Sequence, residues 1–387
     1  LAGNHIGLSR LLYLCGLLHD CGKASDAFQT YLAAGERAQR GSVIHAAQGA
    51  VYARSRWAQA STTSRLTADL IAVAISSHHG KLPDMLNQAG DSFLENTLYP
   101  TRFTTPQERS PEPMPLFLPH FFAQVASEAE LDALFASAQE EVAQVYKESI
   151  APAIRDLKAK GKLQELNARD GLLGLLQRDI FSALMDANRL DAYRFEAGET
   201  AETSGEPPWD AWSANLETKL ASFSQTSPIA QLRAAISAEC LRHAQEGCGG
   251  GLYRLCVPTG GGKTFSAMRY ALAVAKLQGM RRIVYAAPYK AILEQTAAEL
   301  RAALGHEEQI LEHHSDVTFA KEDENGNRDL GQEAEALKRY QTLSERWDSP
   351  MVLTTTVQLL NTLFAGNSAC VRRLSALAGS VIILDEA

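Results

Sequence analysis

Pro258-Thr259-Gly260-Gly261-Gly262-Lys263-Thr264 stands between a β-rich run, LYRLCVP (252–258), and an amphipathic helical run, FSAMRYALAVAKL (265–277). Three consecutive glycines let the backbone fold into a nest whose N–H groups point at phosphate oxygens. The start of the following helix adds partial positive charge at the same place. In such a loop Lys263 reaches the β- and γ-phosphates of a nucleotide, and the Thr264 hydroxyl holds Mg²⁺. ATP with Mg²⁺ is therefore the cofactor expected at 258–264. The strict pattern, G-x-x-x-x-G-K-[ST], asks for glycine at 257, where this chain has Val257.

Outward from the loop, short β-rich runs recur at RRIVYAAP (281–288), MVLTTT (351–356) and SVIILDE (380–386), separated by helical patterns. Strands alternating with helices predict a parallel α/β sheet, the architecture of a RecA-like P-loop lobe. The last run is apolar up to Leu384 and then delivers Asp385 and Glu386 to the carboxyl edge of the sheet, where ligands bind. Asp385 is expected to bind Mg²⁺ and Glu386 to orient the attacking water. The loops AAPYKAI (286–292) and TTTVQ (354–358) also follow strands, and their hydroxyls, backbone N–H groups and lysine suit a single-stranded phosphate backbone. Gln231 and Arg233 lie upstream as further candidates for holding the nucleotide.

The amino-terminal half has a different texture. Apolar residues at 8, 11, 12, 14, 15, 17 and 18 form a buried helical stripe, and 66–77, 121–168 and 171–187 show the same periodicity. Six prolines between 100 and 119 read as a long irregular insertion. Residues 1–195 are thus expected to form one all-α domain. Residues 196–228, rich in Gly, Pro, Ser and Thr with two Trp able to dock on a neighbour, read as a linker. Residues 229–387 are expected to form the α/β lobe.

Histidines cluster at the ends of the apolar helices. His19-Asp20 closes the first stripe in GLLHDCGK, His45 sits in SVIHAAQGA, and His78-His79 closes the stripe at 66–77. Ligands at the ends of several helices can converge on one ion. Imidazole with carboxylate suits Fe, Ni, Co or Mn better than Ca²⁺. A bridging aspartate would hold two ions roughly 3.5–4 Å apart, a spacing used for in-line phosphoryl displacement. Lys23 would offer positive charge to a substrate phosphate. His5, His120, His243 and His306 lack such company and read as structural or surface residues.

A length of 387 residues predicts two or three domains. Six scattered cysteines without a C-x-x-C pair point to reduced, structural thiols and a cytoplasmic setting rather than a disulfide frame. There is no apolar run of about 18 residues, so no membrane partner is expected. The net charge of −8 advertises no nucleic-acid partner, although a groove needs only local positive potential.

HDCGK, VIHAAQGA, SSHHG, FSALMDANRLD, PTGGGKT, LEHHS, TTTVQLL and ILDEA, in that order, resemble the helicase–nuclease of type I CRISPR–Cas systems, which joins an HD phosphohydrolase-type nuclease to a superfamily 2 helicase. P-T-G-x-G-K-T is the helicase form of the phosphate loop. The resemblance spans nearly the whole chain. It implies metal-dependent cleavage of single-stranded DNA, ATP-driven 3′-to-5′ translocation, and recruitment to target DNA by a crRNA-guided surveillance complex. It implies His19 and Asp20 as metal ligands and catalytic residues, with Asp20 bridging to a second set made of His45, His78 and His79. It gives no role to His313 and His314.

Two departures from the family pattern bear on the first metal. The first is a histidine that the family carries some way before its HD pair, ahead of where this chain begins. The second is the family's last metal-binding aspartate, which aligns with Asn188, a neutral oxygen donor, while Asp186 lies roughly 200° away around a helix. Apart from the metal, the chain stops one lobe short of the family's helicase and is expected to be a monomeric fragment with poor ATP hydrolysis of its own. From the two departures a weakly held first ion is expected. Two other readings stay open: an HD-type nucleotide phosphohydrolase with a regulatory ATP-binding lobe, and a catalytically weak docking module.

Overall fold

The computed structural model describes residues 6–34, 45–85, 92–94, 114–161, 165–197, 206–247, 251–258, 260–314 and 344–386. They form two units, one of residues 1–200 with 366–375, the other of residues 201–365 with 376–387.

The first unit is helical: α1 (Ser9–Leu18), α2 (Asp26–Ala33), α3 (Gln48–Trp57), α4 (Thr62–Ser77), α5 (Met114–Gln124), α6 (Glu128–Val145), α7 (Ala151–Ala159) and α8 (Glu165–Ala197). The stripe read at 8–18 buries Leu8, Leu11, Leu14 and Leu18 against Ile71 and Ile75 of α4, Phe135 and Val142 of α6, and Ile180 and Leu184 of α8. The start of α1 is capped from a distance, because the Glu141 carboxylate accepts hydrogen bonds from the backbone N–H groups of Arg10 (2.9 Å) and Leu11 (3.0 Å). Ser127 and Glu130 form a reciprocal capping box that starts α6. Part of the proline-rich stretch is helical, with Pro119 inside α5, and residues 95–113 lie outside the described residues.

The second unit contains α9 (Trp209–Ala221), α10 (Pro228–Gln245), α11 (Lys263–Leu277), β1 (Arg282–Ala287), α12 (Lys290–Leu304), β2 (Ile310–His313), β3 (Met351–Thr355), α13 (Thr356–Phe364) and β4 (Ser380–Leu384), with α14 (Ser368–Val371) belonging to the first unit. The sheet is parallel in the order β2-β3-β1-β4. Ile283, Tyr285 and Ala287 of β1 pack on one face with Met268 and Leu272 of α11, while Val284 and Ala286 pack on the other. A central strand covered on both faces reads as a continuous apolar run, as seen here.

Three expectations change. The run 252–258 joins no ladder among the described residues, and Leu252, Tyr253 and Leu255 are exposed. Composition signals a strand but does not supply the partner that makes one. β2 was not legible, because four residues ending in Glu312 and His313 are too short to establish an alternation. Inside the stretch read as a linker, α9 is a core helix. Its Trp209 and Trp212 indoles are buried and donate to the carbonyls of Met280 (2.9 Å) and Gly305 (3.2 Å).

Residues 366–375, which lie in sequence between α13 and β4, pack within the first unit. Val371 joins Phe181 and Met185 of α8, Arg372 Nε donates to Asp186 Oδ1 at 2.9 Å, and Ser182 Oγ donates to the Arg372 carbonyl at 3.0 Å. Asp186 is thereby committed to a buried guanidinium. Arg372→Ala strands that carboxylate and is expected to cost the first unit about 2 kcal/mol, below the figure for a fully buried pair because Asp186 is partly exposed. The check is the denaturant midpoint of the transition followed by a probe in this unit.

Candidate functional site

α1 ends at Leu18, and His19 and Asp20 make the turn into a 3₁₀ segment, Cys21–Ala24. α4 ends at Ser77, with His78 as its C-cap. Two helix C-termini thus bring partial negative charge to the place where the histidines gather, which favours a bound cation. α3 starts against the last turn of α1, and a Cβ on Gly49 would lie 2.1 Å from the Leu18 carbonyl oxygen, so only glycine allows the approach. That approach carries His45 to Asp20.

The Asp20 carboxylate is the centre. Its Oδ1 faces His78 Nε2 at 3.5 Å and His45 Nε2 at 4.0 Å, and its Oδ2 faces His19 Nε2 at 3.1 Å and Lys23 Nζ at 2.7 Å. His45 and His79 meet through their Nε2 atoms at 2.8 Å, and Phe28 packs on the His45 ring at 4.6 Å. Ligand atoms of Asp20, His78 and His79 lie within 4.8 Å of one another. His19 Nδ1 donates to the Gly16 carbonyl (2.7 Å) and His78 Nδ1 to the Ile75 carbonyl (2.5 Å). Both rings therefore turn Nε2 inward, and His19 Nε2, His78 Nε2 and Asp20 Oδ1 are buried without a hydrogen-bond partner. Such atoms are costly to bury unless something binds them, and imidazole nitrogens with a carboxylate fit a divalent transition metal.

In the second unit Gly262, at φ 80°, caps the start of α11, and Gly261 N–H donates to the Pro258 carbonyl at 3.0 Å. Lys263 Nζ lies 3.0 Å from Glu386 Oε1, and Arg233 Nε donates to the Gly260 carbonyl at 2.6 Å. Asp385 N–H donates to the Ala286 carbonyl at 2.9 Å, and Tyr285 Oη donates to Asp385 Oδ2 at 2.6 Å. Phosphate loop, acidic strand end and helix start thus meet at one sheet edge.

The family model described as "Cas3, HD domain" matches residues 3–167, and the one described as "DEAD/DEAH box helicase" matches residues 235–387. One chain thus joins a segment that matches the Cas3 HD domain to a segment that matches a DEAD/DEAH-box helicase, the arrangement of a Cas3-type HD–helicase fusion. A curated Cas3 relative, the CRISPR-associated nuclease/helicase Cas3 of Haloferax volcanii, is 24% identical over 97% of this chain and 42% of its own length. The chain therefore spans less than half of that Cas3 protein. Among solved structures, Cas3-ATP of T. fusca is 18% identical with a TM-score of 0.46, covering 99% of this chain and 40% of that one. The corresponding Cas3-AMPPNP structure is 19% identical with a TM-score of 0.48, covering 98% and 40%.

Of the residues picked out by sequence, the structure gathers His19, Asp20, Lys23, His45, His78 and His79 in the first unit, and Gly260, Gly261, Gly262, Lys263, Thr264, Asp385 and Glu386 in the second. Pro258 is exposed at the entrance to the loop, whereas Thr259 and His5 lie outside the described residues. Asn188 is half-buried on α8 and takes part in none of the contacts above. Thr354 is buried with its hydroxyl donating to the His313 carbonyl (3.0 Å), and Thr355 caps α13, so neither reads as a free phosphate ligand. The Cys15 and Cys21 thiols are buried and pushed up to about 12, as structural thiols should be. Sequence reasoning missed Tyr285, whose signal was a phenol inside an aliphatic strand.

Burial opposes charge on Asp20, but the His19 and His78 imidazoles beside it, reinforced by Lys23, hold its carboxyl far below the usual range. Burial also disfavours the His19 imidazolium, yet Asp20 outweighs it and raises the pKa. His79 is depressed to about 4 by burial and by the neighbouring His78 and His45. A cation entering this cluster meets a neutral His79 and must displace a proton held on His19. Mn²⁺ affinity should therefore rise as pH climbs through the raised His19 value, with proton release visible by calorimetry in buffers of different ionisation enthalpy. Affinity that does not change as pH climbs above the ordinary histidine value of about 6.5 would contradict this. His79 has its own effect on the metal-free fold: the unfolded chain takes the proton first, so stability falls as pH drops from 6.5 towards 4.

Proposed function

We propose that this chain carries the nuclease and the first ATP-binding lobe of a CRISPR-associated helicase–nuclease, acting in the cytoplasm as a monomer. The nuclease belongs to the helical unit and ATP binding to the α/β unit. The substrate is single-stranded DNA at targets marked by a crRNA-guided surveillance complex, and ATP drives 3′-to-5′ translocation. One observation carries the reading: in a single chain, orphaned inward-facing ligand atoms surround Asp20, and a second unit presents Lys263, Thr264, Asp385 and Glu386 at one sheet edge. Neither nucleotide binding nor a metal cluster alone would distinguish this class from its neighbours.

Asp20, with an oxygen towards each histidine group, is suited to join two ions. His45, His78 and His79 would hold one of them, and His19 the other, with Asn188 as the neutral donor that the family pattern aligns there. Divalent Mn, Fe, Co or Ni bound there would place positive charge on a phosphodiester under attack by water. Asp20 stays ionised, His19 and His78 keep Nε2 directed inward through their backbone acceptors, and Lys23 adds fixed positive charge for a substrate phosphate. In the other unit the loop glycines and Lys263 would bind the triphosphate, Asp385 and Thr264 would hold Mg²⁺, and Glu386, beside Lys263 in this structure, would orient water.

With Mn²⁺ or Ni²⁺ and no ATP, the chain should cut circular single-stranded DNA. Asp20→Ala and His78→Ala should each lower that rate by at least about 100-fold, beyond losses typical of outer-shell positions. Lys263→Ala should leave ATP-independent cleavage intact while abolishing ATP binding. Turnover of mononucleotides without any DNA cleavage would overturn the proposal in favour of a nucleotide phosphohydrolase.

A further inference from the structure

Tyr285 occupies a position where the fold asks only for an apolar side chain. β1 is covered on both faces, and its neighbours on the Tyr285 side, Ile283 and Ala287, pack among Met268, Leu272 and Leu293. A phenol placed there must find a partner for its hydroxyl. The strand register determines which one. Tyr285 pairs directly with Ile383 of β4, so Asp385, two residues further on and on the same face, is its diagonal neighbour. An aromatic side chain spans that diagonal, and Tyr285 Oη donates to Asp385 Oδ2 at 2.6 Å. The Asp385 backbone is held as well, its N–H extending the ladder to the Ala286 carbonyl at 2.9 Å.

The hydroxyls of Thr296 on α12 and Thr264 in the first turn of α11 lie near enough to act on the same phenol. One buried oxygen therefore holds the carboxylate assigned to the Mg²⁺ of a bound nucleotide, at the strand end beside the start of α11. Tyr285 itself is 1% exposed and cannot reach a nucleotide in solvent. Burial, with Asp385 adding to it, pushes its pKa upward, so the phenol keeps its proton and remains a donor to the carboxylate.

We infer that Tyr285 is a positioning residue of the nucleotide site, orienting the Asp385 carboxylate for the divalent ion. This rests on the ATP-binding reading above. The hydrogen bond to Oδ2 fixes the rotation of the carboxylate and leaves Oδ1 to face the ion.

The test is Tyr285→Phe, which keeps the ring and removes the oxygen. Binding of a fluorescent ATP analogue is titrated in EDTA and again across a Mg²⁺ series, alongside wild type and Asp385→Asn. The expected result is unchanged affinity in EDTA, with the Mg²⁺ concentration giving half-maximal enhancement raised about 10-fold. An unaltered Mg²⁺ requirement overturns the inference. So does an equal loss with and without Mg²⁺, which a merely structural tyrosine would produce. Wild-type protein that binds no nucleotide would instead overturn the ATP-binding reading, and the inference with it. Should Tyr285→Phe not fold, 3-fluorotyrosine at 285 keeps the hydroxyl. Its ¹⁹F resonance must then move when Mg²⁺ is added to the nucleotide-loaded chain, and a resonance indifferent to Mg²⁺ also overturns the inference.

Discussion

The Asp20 carboxylate is the point on which the helical unit turns. It is a charge brought out of water at the junction of two helix ends, and it survives there only because each oxygen faces cationic or proton-bearing groups. The arrangement needs three things at once. α1 must end at Leu18, α4 must end at Ser77, and α3 must approach α1 closely enough for backbone to touch backbone at Gly49. The apolar stripes of α1 and α4 pack into the same core as α6 and α8, so the unit's packing and the position of its ligands are one problem.

The α/β unit solves a similar problem differently. A parallel sheet sends every strand's carboxyl end to the same edge, so residues far apart in sequence arrive together without long-range design of loops. Lys263 and Glu386 meet at 3.0 Å across more than a hundred residues of chain for this reason. The lateral precision comes from register: the pairing of Tyr285 with Ile383 determines that the phenol reaches Asp385. A one-residue slip would place Asp385 on the opposite face and break the site.

Asp186 and Asn188 show how a sequence alternative is closed by packing. From the chain alone Asp186 was a conceivable replacement for the missing carboxylate. In the fold it is held by Arg372, from a segment that follows α13 and packs against α8. A carboxylate engaged by a buried guanidinium is not available to a metal without breaking that pair. Asn188 lies half-buried on the same helix and takes part in none of the contacts around Asp20.

The sequence by itself determined the two architectures, the helical periodicity around GLLHDCGK, the glycine loop before Lys263, and the acidic end of the last strand. These are local signals, carried by repeat spacing and by residue types whose backbone or ligand chemistry has few alternatives. Only the tertiary structure decided that 252–258 joins no described ladder, that Ile310–His313 is a strand, that Trp209 and Trp212 anchor a core helix, and that residues 366–375 belong to the helical unit. It also decided that the two oxygens of Asp20 face different histidines and that Tyr285 touches Asp385. Each of those depends on a partner distant in the chain, and a partner's position is set by packing and register, which no local pattern encodes.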